Sequence, residues 1–323
     1  MSSQSLTNTP HSPSNSIAII SVGNQAQSWA LNLYESGVKV EIAYRAFNDK
    51  VKKFQSENPQ IPCVLLNLEW LKKQSIIALL IPDHEHLNFL QQYHDSLPSD
   101  CTIIYAHGFS QVAYKISHRF PQFQHALLAP KAIASELRKN YQEKKTLAAV
   151  YGLASPPSCD EATLSQLQFI AKKLGITWGP FLVSFEQECK ADLFSEQTLL
   201  CNLLPHILDK AHQTLIDKNI PWELAFCEIF LELKLIVNAL EEVGPEKFYQ
   251  LISPNALMGS EFYRQQWEKN LPLEKLFAEC WKSLESGEMI DYLVKTNAEP
   301  VRENIVKKWK NNSLSIAYNR SIS

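Results

Sequence analysis

Glycine is scarce in this chain, with nine residues in 323 against 17 prolines. A loop that wraps a phosphate needs glycine where backbone meets anion, so the count leaves little room for a glycine-rich nucleotide loop. Paired cysteines are also missing. The seven Cys, at 63, 101, 159, 189, 201, 227 and 280, are odd in number and never form C-x-x-C. That scatter argues against a disulfide framework or a zinc site and fits reduced thiols in a cytoplasmic protein. No apolar run reaches the length of a membrane span, and no signal peptide is visible, so neither a membrane nor export is expected. Net charge is only −3, which gives no global field for nucleic acid. What remains is ordinary globular composition, 45% hydrophobic and 20% charged, in a chain long enough for two domains.

The most demanding stretch spans residues 222–242. Leu224, Phe226, Cys227, Phe230, Leu231, Leu233, Leu235, Ile236 and Val237 make it apolar on nearly every side, which predicts a buried helix. Within it stand Glu228 and Glu232, four residues apart and stacked on one helical face. Asp192 and Glu196 repeat that spacing beside a second apolar run at 198–204. Carboxylates out of water require a partner or a cation. Two readings stay open: a cage for hard divalent ions such as Mg²⁺, or solvated faces paired with Lys190, Lys210 or Lys234.

The N-terminal half alternates strand and helix. Residues 1–16 are polar, with almost nothing to bury, and read as a disordered tail. Residues 17–20 form a first strand, 28–35 a helix closed by Gly37, and 38–44 a second strand. Further strands are expected at 75–81, 102–105, 126–129 and 147–151, with helices around 86–94 and 112–120. His84 and His86 fit a helix start better than a metal site. A turn at 155–158 leads to an amphipathic helix over 161–174, ended by Gly175. This is the pattern of a doubly wound, mainly parallel α/β sheet. The first turn reads Ser21, Gly23 and Ala26 against the G-x-G-x-x-G fingerprint of dinucleotide folds, a damaged match. After the second strand, Tyr44-Arg45 stands where an NAD enzyme carries an acid. A cation there suits a 2′-phosphate, or it is simply an exposed basic turn. Past residue 184 the pattern becomes all-helical, and the residues after Trp309 read as a loose tail.

Several segments together resemble the ketol-acid reductoisomerase family. Asp192-Leu-Phe-Ser-Glu196-Gln-Thr-Leu-Leu-Cys201 is similar to that family's D-L-F-G-E-Q-x-x-L-C. The run Glu228-Ile-Phe-Leu-Glu232-Leu-Lys-Leu-Ile-Val237 is similar to its E-x-x-x-E-L-K-L-I-V. Ala106-His107-Gly108-Phe109, Ala129-Pro130-Lys131 and Ile252-Ser253 match its A-H-G-F, A-P-K and I-S segments in order. The resemblance implies a Rossmann-type NADP-binding domain over 17–181 and a knotted helical metal- and substrate-binding domain over 182–310, with a loose tail at 311–323. It implies NADPH and two Mg²⁺ ions as cofactors. Asp192 would bridge the two ions, Glu196 would hold one, and Glu228 with Glu232 the other. Ser253 would bind the acetohydroxy acid, while His107, Lys131 and Glu232 belong to the catalytic set. Gly23, Asn24, Gln25 and Arg45 would hold the cofactor. The chain's length fits the family's short form, an interlocked homodimer in which Glu228, Glu232 and Ser253 come from the partner subunit.

The implied activity is Mg²⁺-dependent alkyl migration in 2-acetolactate or 2-aceto-2-hydroxybutyrate, then reduction by NADPH, in valine, leucine and isoleucine synthesis. The departures cluster near the cofactor. Ser21 and Ala26 stand for two glycines, Phe47 and Asn48 for phosphate-binding serines, and Ala132 to Ser135 for the family's G-P-G-H. The alternative is therefore a paralogue with an impaired cofactor loop, acting on another 2-keto acid or serving as a non-catalytic binding or regulatory protein.

Overall fold

The computed structural model describes residues 15–154 and 160–322. Most of the expected N-terminal tail and the turn read at 155–158 lie outside the described residues. By its contacts the chain divides into two units, Met1–Ala191 and Asp192–Ser323.

The first unit is built on one eight-stranded sheet. Its strands are β1 (Ser16–Ile20), β2 (Lys39–Tyr44), β3 (Cys63–Leu65), β4 (Ile76–Leu79), β5 (Thr102–Tyr105), β6 (Gln124–Pro130), β7 (Ala148–Leu153) and β8 (Trp178–Leu182). They lie in the order β3-β2-β1-β4-β5-β6-β7-β8, and every neighbouring pair is parallel except β6 with β7. Alternation along the strands explains the two covered faces. Ile17, Ile19, Ile76, Ala78 and Ile104 pack on one side with Trp29 and Leu33 of the helix Asn24–Glu35. Ala18, Ile20, Ile77, Leu79 and Tyr105 pack on the other with Phe89 and Leu90 of the helix Asp83–Tyr93. A parallel sheet buried on both faces needs apolar residues in both registers, and these strands supply them. The strand order reverses between β1 and β4, so the crevice beyond their carboxyl ends is where this fold takes a ligand.

Two strands escaped the sequence reading. β3 has three residues at one edge, and β8, at the other edge, contains Gly179 and Pro180. Proline interrupts a strand pattern but is tolerated at a sheet edge, where no further ladder needs its missing N–H. The helix Glu161–Leu174 has the expected limits, closed by Gly175 with a φ of 92°.

The second unit is helical throughout its described elements, with helix starts set by proline. Pro205 and Pro254 occupy first-turn positions, and Pro221 and Pro272 precede the helices they open. Two expectations are corrected here. The stretch expected to be a buried helix is broken into Trp222–Phe226, a π-helical turn Cys227–Leu231, and Glu232–Leu251, bent at Gly244-Pro245. Within this one chain, only Ala225 and Phe226 of the stretch are buried, while Leu224, Leu231, Leu235, Ile236 and Val237 face outward. Apolar composition alone predicted burial, but within this chain no other element folds over these residues. The expected loose tail instead forms the helix Ser313–Ser321, whose Leu314 and Ala317 are buried against Phe226. The polar residues that suggested looseness are its outer face and its cap, since the Asn312 side chain accepts from Ser315 N–H at 2.8 Å. Leu314→Ala should therefore lower the stability of the helical unit by about 2 kcal/mol, read by thermal unfolding of the whole chain. An unchanged transition would return these residues to the status of a loose tail.

Candidate active site

The crevice begins with the turn after β1. Ser21 has a φ of 147°, a conformation that favours glycine, and its N–H donates to Ala43 O at 3.1 Å. Its hydroxyl accepts from Gly23 N–H at 2.9 Å. Gly23 then caps the helix Asn24–Glu35, leaving Asn24 exposed and Gln25 half-buried in the first turn. Exposed first-turn amides at a helix start favour an anion, and here they point out of the carboxyl edge of the sheet. Beside them lies a cleft of about 410 Å³, lined among others by Ile20, Ser21, Gly23, Tyr44, Arg45, Lys50 and Pro82. Arg45 follows β2 and is ion-paired with Glu85. The structure thus brings Gly23 and Arg45 to one cleft, with Asn24 and Gln25 next to it.

The ends of β5 and β6 carry a second group. Lys131 follows β6, and its Nζ donates to Glu188 Oε1 at 2.5 Å. The other carboxylate oxygen of Glu188 accepts from Gly108 N–H at 2.6 Å and lies 3.8 Å from His107 Nε2. His107 stacks on Phe109, and its Nδ1 is 3.8 Å from Asp83. Glu188 is 3% exposed, so its charge is satisfied by protein rather than by water. Only glycine fits at 108: a Cβ there would meet Phe185 O at 2.3 Å and the Glu188 carboxylate at 2.9 Å. Behind this group, buried His86 donates from Nε2 to Ile81 O at 3.0 Å, so its Nδ1 accepts from Ser110 at 2.8 Å. Burial pushes the His86 imidazole below its usual range, which keeps this a neutral structural strut. Sequence reasoning missed Glu188. The available signal was its place four residues before Asp192 on the helix Phe185–Phe194, extending that acid ladder by one rung.

The four expected metal acids share an unusual local geometry. Asp192 lies in the last turn of the helix Phe185–Phe194, and Glu196 in the π-helical run Ser195–Leu203 that continues it. Glu228 is in the π-helical turn Cys227–Leu231, and Glu232 opens the following α-helix. Each pair therefore straddles a junction between α and π geometry, a feature that concentrates at functional sites. All four are carboxylates, a donor set suited to a hard cation. Asp192 is half-buried, whereas Glu196, Glu228 and Glu232 are exposed. Among the described residues of this unit, the four do not gather into a group of three close enough to hold one ion. Ser253 caps the helix Pro254–Asn270, its hydroxyl accepting from Ala256 N–H at 3.2 Å, and is exposed.

Residues 13–178 match the family model described as acetohydroxy acid isomeroreductase, NADPH-binding domain, and residues 185–317 match that of the ketol-acid reductoisomerase C-terminal domain. The chain belongs to the ketol-acid reductoisomerase family. A ketol-acid reductoisomerase (NADP(+)) of Helicobacter acinonychis is 31% identical over 298 residues, covering 90% of this chain and 87% of the relative. One from Tropheryma whipplei is 30% identical over 248 residues, 76% of this chain and 72% of the relative. In fold, the chain is similar to an NADH-preferring ketol-acid reductoisomerase from an uncultured archean, with a TM-score of 0.82 at 23% identity. That likeness covers 94% of this chain and 93% of the other.

Membership in the reductoisomerases gives the Ser21 geometry a meaning. The family's glycine position keeps its glycine-like φ here, so the serine carries the strain of a side chain on an unchanged backbone. Ser21→Gly should raise unfolding stability by about 1 kcal/mol in denaturant titration, and a loss of stability would show the turn to be unstrained. Gly108→Ala should destabilise the sheet unit by about 3 kcal/mol, since the added methyl must displace backbone and the Glu188 carboxylate. A variant as stable as the parent would refute that close approach.

Proposed function

We propose that this chain isomerises and reduces acetohydroxy acids, turning 2-acetolactate or 2-aceto-2-hydroxybutyrate into the 2,3-dihydroxy acid for valine, leucine and isoleucine synthesis. The observation that carries this reading is the pairing of an NADPH-domain cleft with an undamaged set of four acids, Asp192, Glu196, Glu228 and Glu232. When bound, two Mg²⁺ ions would supply Lewis acidity for the alkyl shift, and NADPH the hydride for the reduction.

The residues then have distinct tasks. Gly23, Asn24 and Gln25 would hold the cofactor's pyrophosphate at the helix start, and Arg45 would supply a cation for a 2′-phosphate. Asp192, Glu196, Glu228 and Glu232 would hold the metal ions, supplying the carboxylate oxygens that a hard cation takes. The Glu188 carboxylate orients the Lys131 ammonium, which donates a hydrogen bond at Nζ to the water and proton network around the reacting oxygens. His107, stacked on Phe109, lines the same network. The Ser253 hydroxyl hydrogen-bonds the substrate.

The assembly that fits is an interlocked homodimer, working in the cytoplasm. Two observations support it. Among the described residues, Asp192, Glu196, Glu228 and Glu232 form no group of three close enough to hold one ion, and the face carrying Glu228 and Glu232 is apolar yet uncovered. Glu228, Glu232 and Ser253 of the second copy then complete each site. The test is NADPH oxidation with 2-acetolactate, with and without Mg²⁺. Turnover should require both, and no oxidation under saturating conditions would sink the proposal. Glu232→Gln should cut turnover by at least ~100-fold while light scattering still reports a dimer. Unchanged turnover would remove that residue from the metal set.

A further inference from the structure

The Arg45–Glu85 ion pair ties the end of β2 to the first turn of the helix Asp83–Tyr93; Arg45 lines the cleft, as do Ile81 and Pro82, which lead into that helix. Its surroundings leave Arg45 as a cation with a counter-charge already in place. Phe47 is exposed and apolar, and the Asn48 side chain is spent capping a helix, accepting from Val51 N–H at 3.1 Å. Lys50 lines the cleft and makes no ion pair among the described residues. The His84 imidazole lies 3.8 Å from the second oxygen of Glu85.

We propose that Glu85 sets the balance between phosphorylated and unphosphorylated nicotinamide dinucleotides by holding a carboxylate beside Arg45. This rests on the reading of the cleft as the cofactor site. A 2′-phosphate arriving at Arg45 must share its guanidinium with Glu85 and meet a like charge there, which weakens its binding. A free ribose 2′-hydroxyl meets the opposite situation, because a carboxylate accepts a hydrogen bond from it. Dinucleotide folds that use NAD place such an acid at the end of the second strand. Here that position is Tyr44-Arg45, and the acid is brought from the neighbouring helix Asp83–Tyr93 instead. The chain consequently accepts NADH as well as NADPH, with a preference between them that Glu85 keeps small.

The experiment is fluorescence titration of NADPH and of NADH into the whole parent protein and Glu85→Gln. The expected result is a Kd for NADPH that falls roughly three- to tenfold in the variant, with NADH unchanged or weaker. Glu85 is partly exposed, so the variant should fold; Glu85→Ala gives the same comparison if it does not. Equal shifts for both nucleotides, or none, with binding retained, would overturn the role of Glu85 and leave the cofactor site intact. Failure of both proteins to bind either nucleotide would overturn the site and this inference together.

Discussion

A carboxylate taken out of water must be compensated, and Glu188 is the residue on which that constraint falls. Its two oxygens are held by the Lys131 ammonium and the Gly108 amide, each from the end of a different strand. Removing either donor leaves buried charge uncompensated, a far larger penalty than the loss of a surface ion pair. The helix Phe185–Phe194 is thereby locked to the ends of β5 and β6, with Phe185 and Cys189 buried beneath it. The same bond that orients Lys131 anchors the helix bearing Asp192.

The cofactor side tolerates more change. Its turn retains a glycine-type backbone under a serine, and the serine hydroxyl satisfies an amide inside the turn itself. Arg45, which lines that cleft, is already engaged by an acid. The departures from the family's segments lie on this side, whereas Asp192, Glu196, Glu228 and Glu232 all keep the carboxylates of those segments. That contrast follows from redundancy. Many groups bind a dinucleotide, and few can replace a metal ligand.

The helical unit leaves a broad apolar face exposed within one chain. Leu231, Leu235, Ile236 and Val237 are exposed beside Glu228 and Glu232, and Phe262, Tyr263 and Trp267 are exposed on a nearby stretch of sequence. An apolar surface of this kind is costly to leave in water, which is the physical basis of the assembly proposed above. The π-helical turns at 195–203 and 227–231 alter the registry of each acid pair relative to an uninterrupted α-helix.

Much of this was legible in the residues alone. The doubly wound sheet followed from alternating apolar strands and helices, with Gly37 and Gly175 ending helices where expected, because those signals are local. The acid pairs were legible because four-residue spacing is a local geometric rule, and the family likeness lay in short contiguous segments. What sequence could not express was contact between distant segments. Glu188 gained its role only when residues 80 positions apart met at Gly108. β8 became a strand because β7 was there to pair with it, despite Pro180. Leu314 found its core only against Phe226, and Glu85 its place only in an ion pair with Arg45, 40 positions away. Local propensity is written into a chain one neighbourhood at a time, whereas burial and charge pairing exist only once the fold has brought the neighbourhoods together.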